Sequence, residues 1–271
     1  MDKIKLPFLI CIFIMMLLLS GCSLSKAERL YEEGKKLHEE GKYEEACEKY
    51  VEAISRNRQS GHFFIAYGHA LLELENYSEA FSNFSYAIVE EQDITIVTEN
   101  NKRALRGAGV ACFMLEDYTA AEEYFEKALA IDELEELDKD ILYYLIYSQM
   151  TQLEADRDDT EEFKKKARSI EHNCEKLLEY EQDAETRLEL MHILSNVYML
   201  CEDYEKAKDI IDETIAAGVK PDVEVYIKLA NCNIMRKSYS EAEVCIYKAL
   251  QLDDGTRKAE IEGLRELMNA E

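Results

Sequence analysis

The stretch GKKLHEEGKYEEACEKYVEAI, Gly34 to Ile54, decides the fold, because its skeleton returns four more times along the chain. Its tyrosine, Tyr43, recurs as Tyr77, Tyr118, Tyr204 and Tyr239, at separations of 34, 41, 86 and 35 residues. Three residues after each stands an alanine: Ala46, Ala80, Ala121, Ala207 and Ala242. Seven after comes a large apolar residue (Tyr50, Phe84, Phe125, Ile211, Ile246), and eleven after comes Ile54, Ile88, Leu129, Ile215 or Leu250. Nine before each tyrosine stands a small residue: Gly34, Gly68, Gly109, Ser195 or Ala230. Self-similarity at such a period is the signature of an array of stacked helical units.

These positions resemble the tetratricopeptide repeat, a pair of antiparallel helices about 34 residues long. That pattern has a small residue in helix A where helix B crosses closely, a tyrosine in the turn and an alanine at the start of helix B. The resemblance covers 27–60, 61–94, 102–135, 188–221 and 223–256. The family's aromatic residue early in helix A is weak here (Leu30, Phe64, Leu105, Met191, Tyr226), and its terminal proline is absent apart from a displaced Pro221. The 52 residues from 136 to 187 suit one enlarged, degenerate unit: Ile141, Leu142, Leu145 and Ile146 fit a helix A, and Phe163, Ala167, Ile170, Cys174 and Leu177 fall on one helical stripe. The spacings Thr119/Glu122, Asp159/Glu162 and Ser240/Glu243 predict capping boxes at the starts of B helices. After Gly255, 256–271 reads as an amphipathic helix with Ile261, Leu264 and Met268 on one side, placed to cap the stack. The expected fold is all-α: a tetratricopeptide-type solenoid of about six helix pairs with a C-terminal capping helix. Only two prolines and ten glycines interrupt the chain, which excludes all-β and collagen-like folds.

At the N-terminus, Lys3 and Lys5 precede fourteen uncharged residues, Leu6 to Leu19, a core too short for a permanent membrane span of roughly 20 residues. Leu19, Ser20, Gly21 and Cys22 follow, and resemble the bacterial lipobox, in which small residues precede a cysteine that takes a diacylglyceryl group. The resemblance implies a signal peptide over 1–21, lipid on Cys22, a short tether over 22–26, and a solenoid from 27 to 255 on the outer face of a bacterial cell membrane. An ordinary secretory signal that contains a cysteine is the alternative.

The chain carries 32 basic against 57 acidic residues, a formal charge of −25. Removing residues 1–21 leaves 30 against 56. An acidic surface of this size repels phosphate backbones, so nucleic acid is excluded as a partner. No cofactor or catalytic constellation emerges. The run HEEGK at His38 to Lys42 lacks the second histidine of a zincin helix, Gly107 and Gly109 lack the third glycine of a dinucleotide loop, and no G-x-S-x-G occurs. The acidic run over 156–162 lacks the glycine and terminal glutamate of an EF-hand. No metal site and no enzyme activity are expected. Cys47, Cys112, Cys174, Cys201, Cys232 and Cys245 read as packing residues with free thiols, with a single disulfide as the competing reading.

The family resemblance implies an interaction scaffold whose A helices line a concave groove. Positions 2, 5, 9 and 12 of each unit form one helical stripe; by resemblance it faces the groove. It comprises Glu28, Tyr31, Lys35 and His38; His62, Ile65, His69 and Leu72; Arg103, Arg106, Val110 and Phe113; Glu189, His192, Asn196 and Met199; and Glu224, Ile227, Asn231 and Ile234, with Lys228 beside it. Three acids oppose three bases, a near-neutral lining in an acidic body. The resemblance also implies that Asn196 and Asn231 take the place at which the family's peptide clamps hold a bound backbone; two solvated asparagines are the alternative. Four of the five histidines lie on the stripe, which reads as polarity in a wet groove or as a lining that responds to pH between about 7.5 and 5.5. The expected partner is a protein or peptide in the groove. The alternative is capture of a small ligand or cell-wall fragment.

Overall fold

The computed structural model describes residues 25–89, 95–132, 134–155, 161–181 and 183–270. The signal segment, Cys22 and the Asp159 member of one capping box lie outside them. The described residues form thirteen α-helices and no strand. In chain order these are α1 (Lys26–Glu39), α2 (Tyr43–Arg56), α3 (Gly61–Glu73), α4 (Tyr77–Ala87), α5 (Thr95–Met114), α6 (Tyr118–Leu129), α7 (Asp138–Ala155), α8 (Glu161–Tyr180), α9 (Ala184–Leu200), α10 (Tyr204–Ala216), α11 (Val223–Met235), α12 (Tyr239–Leu252) and α13 (Lys258–Ala270), with one 3₁₀ turn at Glu135–Leu137. None of them is long and apolar enough to cross a membrane.

Each repeated tyrosine is the first residue of a helix. Two residues earlier the backbone is left-handed every time: φ is 73° at Gly41, 58° at Glu75, 62° at Glu116, 59° at Glu202 and 59° at Lys237. This conformation closes the preceding helix. Gly41 N–H donates to His38 O and Lys42 N–H to Leu37 O, both at 2.9 Å, and Glu75 and Asn76 repeat the pair at 3.0 and 2.9 Å. The capping boxes expected at Thr119/Glu122 and Ser240/Glu243 are not formed. The caps fall earlier, at Asp117, whose carboxylate accepts from Ala120 N–H at 3.1 Å, and at Ser238. Thr119 and Ser240 therefore lie inside their helices, and Glu122 and Glu243 bond to other helices instead.

The repeated alanines are fully buried, as are Phe84, Phe125, Ile211 and Ile246, with Tyr50 2% exposed. A Cβ added to Gly34 would stand 2.7 Å from Tyr50 Cε1, and one at Gly68 2.8 Å from Phe84 Cε1, so the ring of each B helix lies against bare backbone of its A helix.

The chain divides into two compact units, Met1–Glu116 and Asp117–Glu271. In the first, α3 packs on α1, α2, α4 and α5; Asn101 ties the stretch after α4 to α5, accepting from Val89 N–H at 2.8 Å and donating to Val89 O at 2.6 Å. In the second, helices neighbouring in sequence pack from α6 to α13, and α9 also meets α11. Leu142, Ile146, Phe163, Ala167, Ile170, Cys174 and Leu177 form one core with the inner face of α9. Ile261 and Leu264 of α13 close the end over Ile227, Ala230 and Ile234 of α11. The six cysteines among the described residues are free; Cys201 is exposed at the end of α9 rather than packed.

Candidate functional site

The groove-side stripe is recognisable by burial. Along α9 between Glu189 and Met199, the residues that are not buried are Glu189, His192, Asn196 and Met199, all four of the stripe positions. Along α5 between Asn101 and Phe113 they are Arg103, Arg106 and Phe113. Within these two spans every other position is buried, so the strips are their accessible part.

In the first unit, Tyr31 stacks on Phe63 with centroids 5.3 Å apart and meets the edge of His62 at 5.0 Å. His62 Nε2 lies 3.6 Å from Glu28 Oε1. His69 meets Phe84 edge to face at 5.0 Å. Burial, reinforced by the positive charge of Arg106, pushes its imidazole down to about 4. His69 is therefore neutral across the window in which a pH-responsive lining would act, which removes it from that role.

In the second unit, the Lys228 ammonium donates to His192 Nδ1 and to His192 O, both at 3.0 Å. An ammonium only donates, so Nδ1 must accept, and the ring proton sits on Nε2, which faces Asp222 Oδ2 at 3.6 Å. Burial pushes Lys228 down to about 8, opposed by Glu224 at 3.7 Å. Burial and Lys228 both lower the pKa of His192. Arg257, just before α13, bridges Glu224 and Glu260. Asn196 and Asn231 are partly exposed and make no side-chain hydrogen bond among the described residues, leaving their amides available.

Four expected lining residues are displaced from the surface: Ile65 is 6% and Val110 9% exposed, and the other two lie on α11. Ile234 is fully buried and Ile227 is 3% exposed, because α13 covers that side of α11. Lys228, 4% exposed, is an interhelix bridge rather than a lining residue. Conversely, three stripe residues of the degenerate unit escaped the sequence reading: Asp140, Tyr143 and Tyr147 on α7. Extending the 3, 4, 3 spacing back through Ile141 to Ile146 would have found them. Both tyrosine hydroxyls donate to Glu189 of α9, Tyr143 at 3.3 Å. Among the described residues no group of three His, Cys, Asp or Glu could hold a metal.

The tetratricopeptide repeat family matches residues 68–136. No curated protein matches the chain. Among solved structures, the C-terminal part of a tetratricopeptide-repeat protein of Cytophaga hutchinsonii aligns with a TM-score of 0.58 at 14% identity, covering 82% of this chain and 78% of that one. YrrB, described as a tetratricopeptide-repeat protein with an unusual peptide-binding site, aligns with a TM-score of 0.57 at 17% identity over 76% and 93%. PilF of Pseudomonas aeruginosa gives 0.55 at 14% identity over 89% and 96%. The fold class is that of tetratricopeptide-type solenoids.

Proposed function

We propose that this chain is a lipid-anchored scaffold on the extracytoplasmic face of a bacterial membrane, which binds a protein or peptide through the groove-side stripes of its A helices. One observation carries the binding face: between Asn101 and Phe113 on α5 and between Glu189 and Met199 on α9, every position that is not buried belongs to the stripe. The free amides of Asn196 and Asn231 offer a donor and an acceptor to a bound backbone at matched places on neighbouring helices. YrrB, of the same fold, has a peptide-binding site. The anchor rests on the sequence from Lys3 to Cys22.

One experiment addresses both halves. Tagged chain is recovered from detergent-solubilised cells as wild type, as Cys22→Ala, and as Asn196→Ala with Asn231→Ala. Cys22→Ala is expected to leave the detergent phase or stay unprocessed, and the double variant to lose partner proteins while keeping the wild-type melting temperature. Unchanged gel mobility together with unchanged detergent partitioning would contradict the anchor, and unchanged partner recovery would remove the asparagines from the site.

A further inference from the structure

The near-neutral lining hides a separation of charge. On the first unit's stripe Glu28 faces three bases, Lys35, Arg103 and Arg106. The second unit's stripe, with α7 included, carries Asp140, Glu189 and Glu224 and no base. Between α7 and α9 lies a cavity of about 400 Å³ whose walls include Glu136, Asp140, Tyr143 and Glu189. Its lysine, Lys139, is engaged with Glu181 at 2.5 Å. Glu189 is partly buried and receives only the two tyrosine hydroxyls; no Lys, Arg or His among the described residues pairs with it. Of the two tyrosines only Tyr143 lines the cavity; the Tyr147 ring stands behind it, 4.8 Å away at 41°, beside the same carboxylate. Burial and the neighbouring Glu189 raise the pKa of Tyr147, which keeps its hydroxyl protonated and donating. Glu189 accepts these two hydrogen bonds but has no cation beside it, so a cationic group can still pair with it. An aromatic wall adds attraction for the same charge.

We propose that this pocket receives the cationic side chain of an arginine or lysine in a basic segment of the docked partner. The proposal rests on the reading that the groove side binds a polypeptide, and it specifies that partner's chemistry. The cavity is large enough to admit one long side chain and too small for a folded domain.

The probe is N-acetyl-arginine methylamide, titrated into the full chain in neutral detergent micelles with ¹³C-labelled tyrosine rings observed by NMR. N-acetyl-citrulline methylamide is the uncharged control. Saturable shifts confined to a few tyrosines, lost on Tyr143→Leu and absent with citrulline, are expected. Glu189→Gln should weaken the arginine probe about tenfold, as loss of a charge-assisted contact does. Glu136→Gln should weaken it less, and Glu213→Gln, an exposed acid outside the pocket, should leave it within about twofold, since exposed charges contribute little. Melting temperatures establish that each variant is folded. Equal weakening by Glu189→Gln and Glu213→Gln, or equal response to citrulline, would mean general attraction to an acidic body and would overturn the proposal. Loss of the pocket effect with partner recovery still dependent on Asn196 and Asn231 would sink this inference and spare the groove reading.

Discussion

Phe84 is held between two glycines. A Cβ at Gly68 would stand 2.8 Å from its ring and one at Gly107 2.4 Å, and the ring is fully buried, so it has no room to swing away. Gly107→Ala should therefore overpack the first unit and cost about 1 to 3 kcal/mol, read as a lower urea midpoint. An unchanged midpoint would mean that the ring yields. The sequence pattern announced Gly68, nine residues before a tyrosine, but Gly107 stands outside that pattern because its contact is with the preceding repeat. His69 shows a similar limit. Its place on the stripe was legible; its neutrality was not, because burial against Phe84 and the nearby guanidinium groups arises only in the fold. The imidazole is depressed to about 4 from the ordinary 6.5, so the unfolded chain takes up this proton first. The stability it contributes is present above about pH 6.5 and is lost as pH falls towards 4. His69→Gln should lose less stability than wild type between pH 7 and 4.5 in parallel urea titrations; identical losses would place the histidine in an open, solvated position.

Turns between A and B helices share one device, and only the first repeat has its cheapest form. Gly41 adopts the left-handed conformation freely, whereas Glu75, Glu116 and Glu202 hold it with a side chain. Glu75→Gly, Glu116→Gly and Glu202→Gly should each raise stability by about 0.5 to 1 kcal/mol, visible as additive rises in melting temperature. No change in any of the three would show that local hydrogen bonds already relieve the strain. These turns also explain the misplaced capping boxes, since the helix start is set by the left-handed closure two residues before the tyrosine and not by the next Ser or Thr. The five regular helix pairs were legible because tyrosine, alanine and small residue recur in register. The degenerate pair has none of those marks at the same offsets, so its helices could be inferred from apolar spacing while its stripe, Asp140 to Tyr147, went unplaced. Register also could not reveal that α13 would bury Ile227 and Ile234, because that depends on which helix comes next in space.

For the whole molecule, a formal charge of −25 and the opposite signs of the two stripes narrow the kind of partner that can dock. The outer surface repels acidic macromolecules, while the first unit offers bases and the second offers carboxylates with tyrosines. The proposed function places a partner on the open strip of the A helices and not on the B helices. Site-specific photocrosslinking in cells measures this most directly, with benzoylphenylalanine placed singly at Tyr31 and Asn196 on the strip and at Glu52 and Glu213, exposed on B helices. One discrete crosslinked partner is expected from Tyr31 and Asn196 and none from Glu52 or Glu213. Crosslinks from the B-helix positions with none from the strip would contradict that placement.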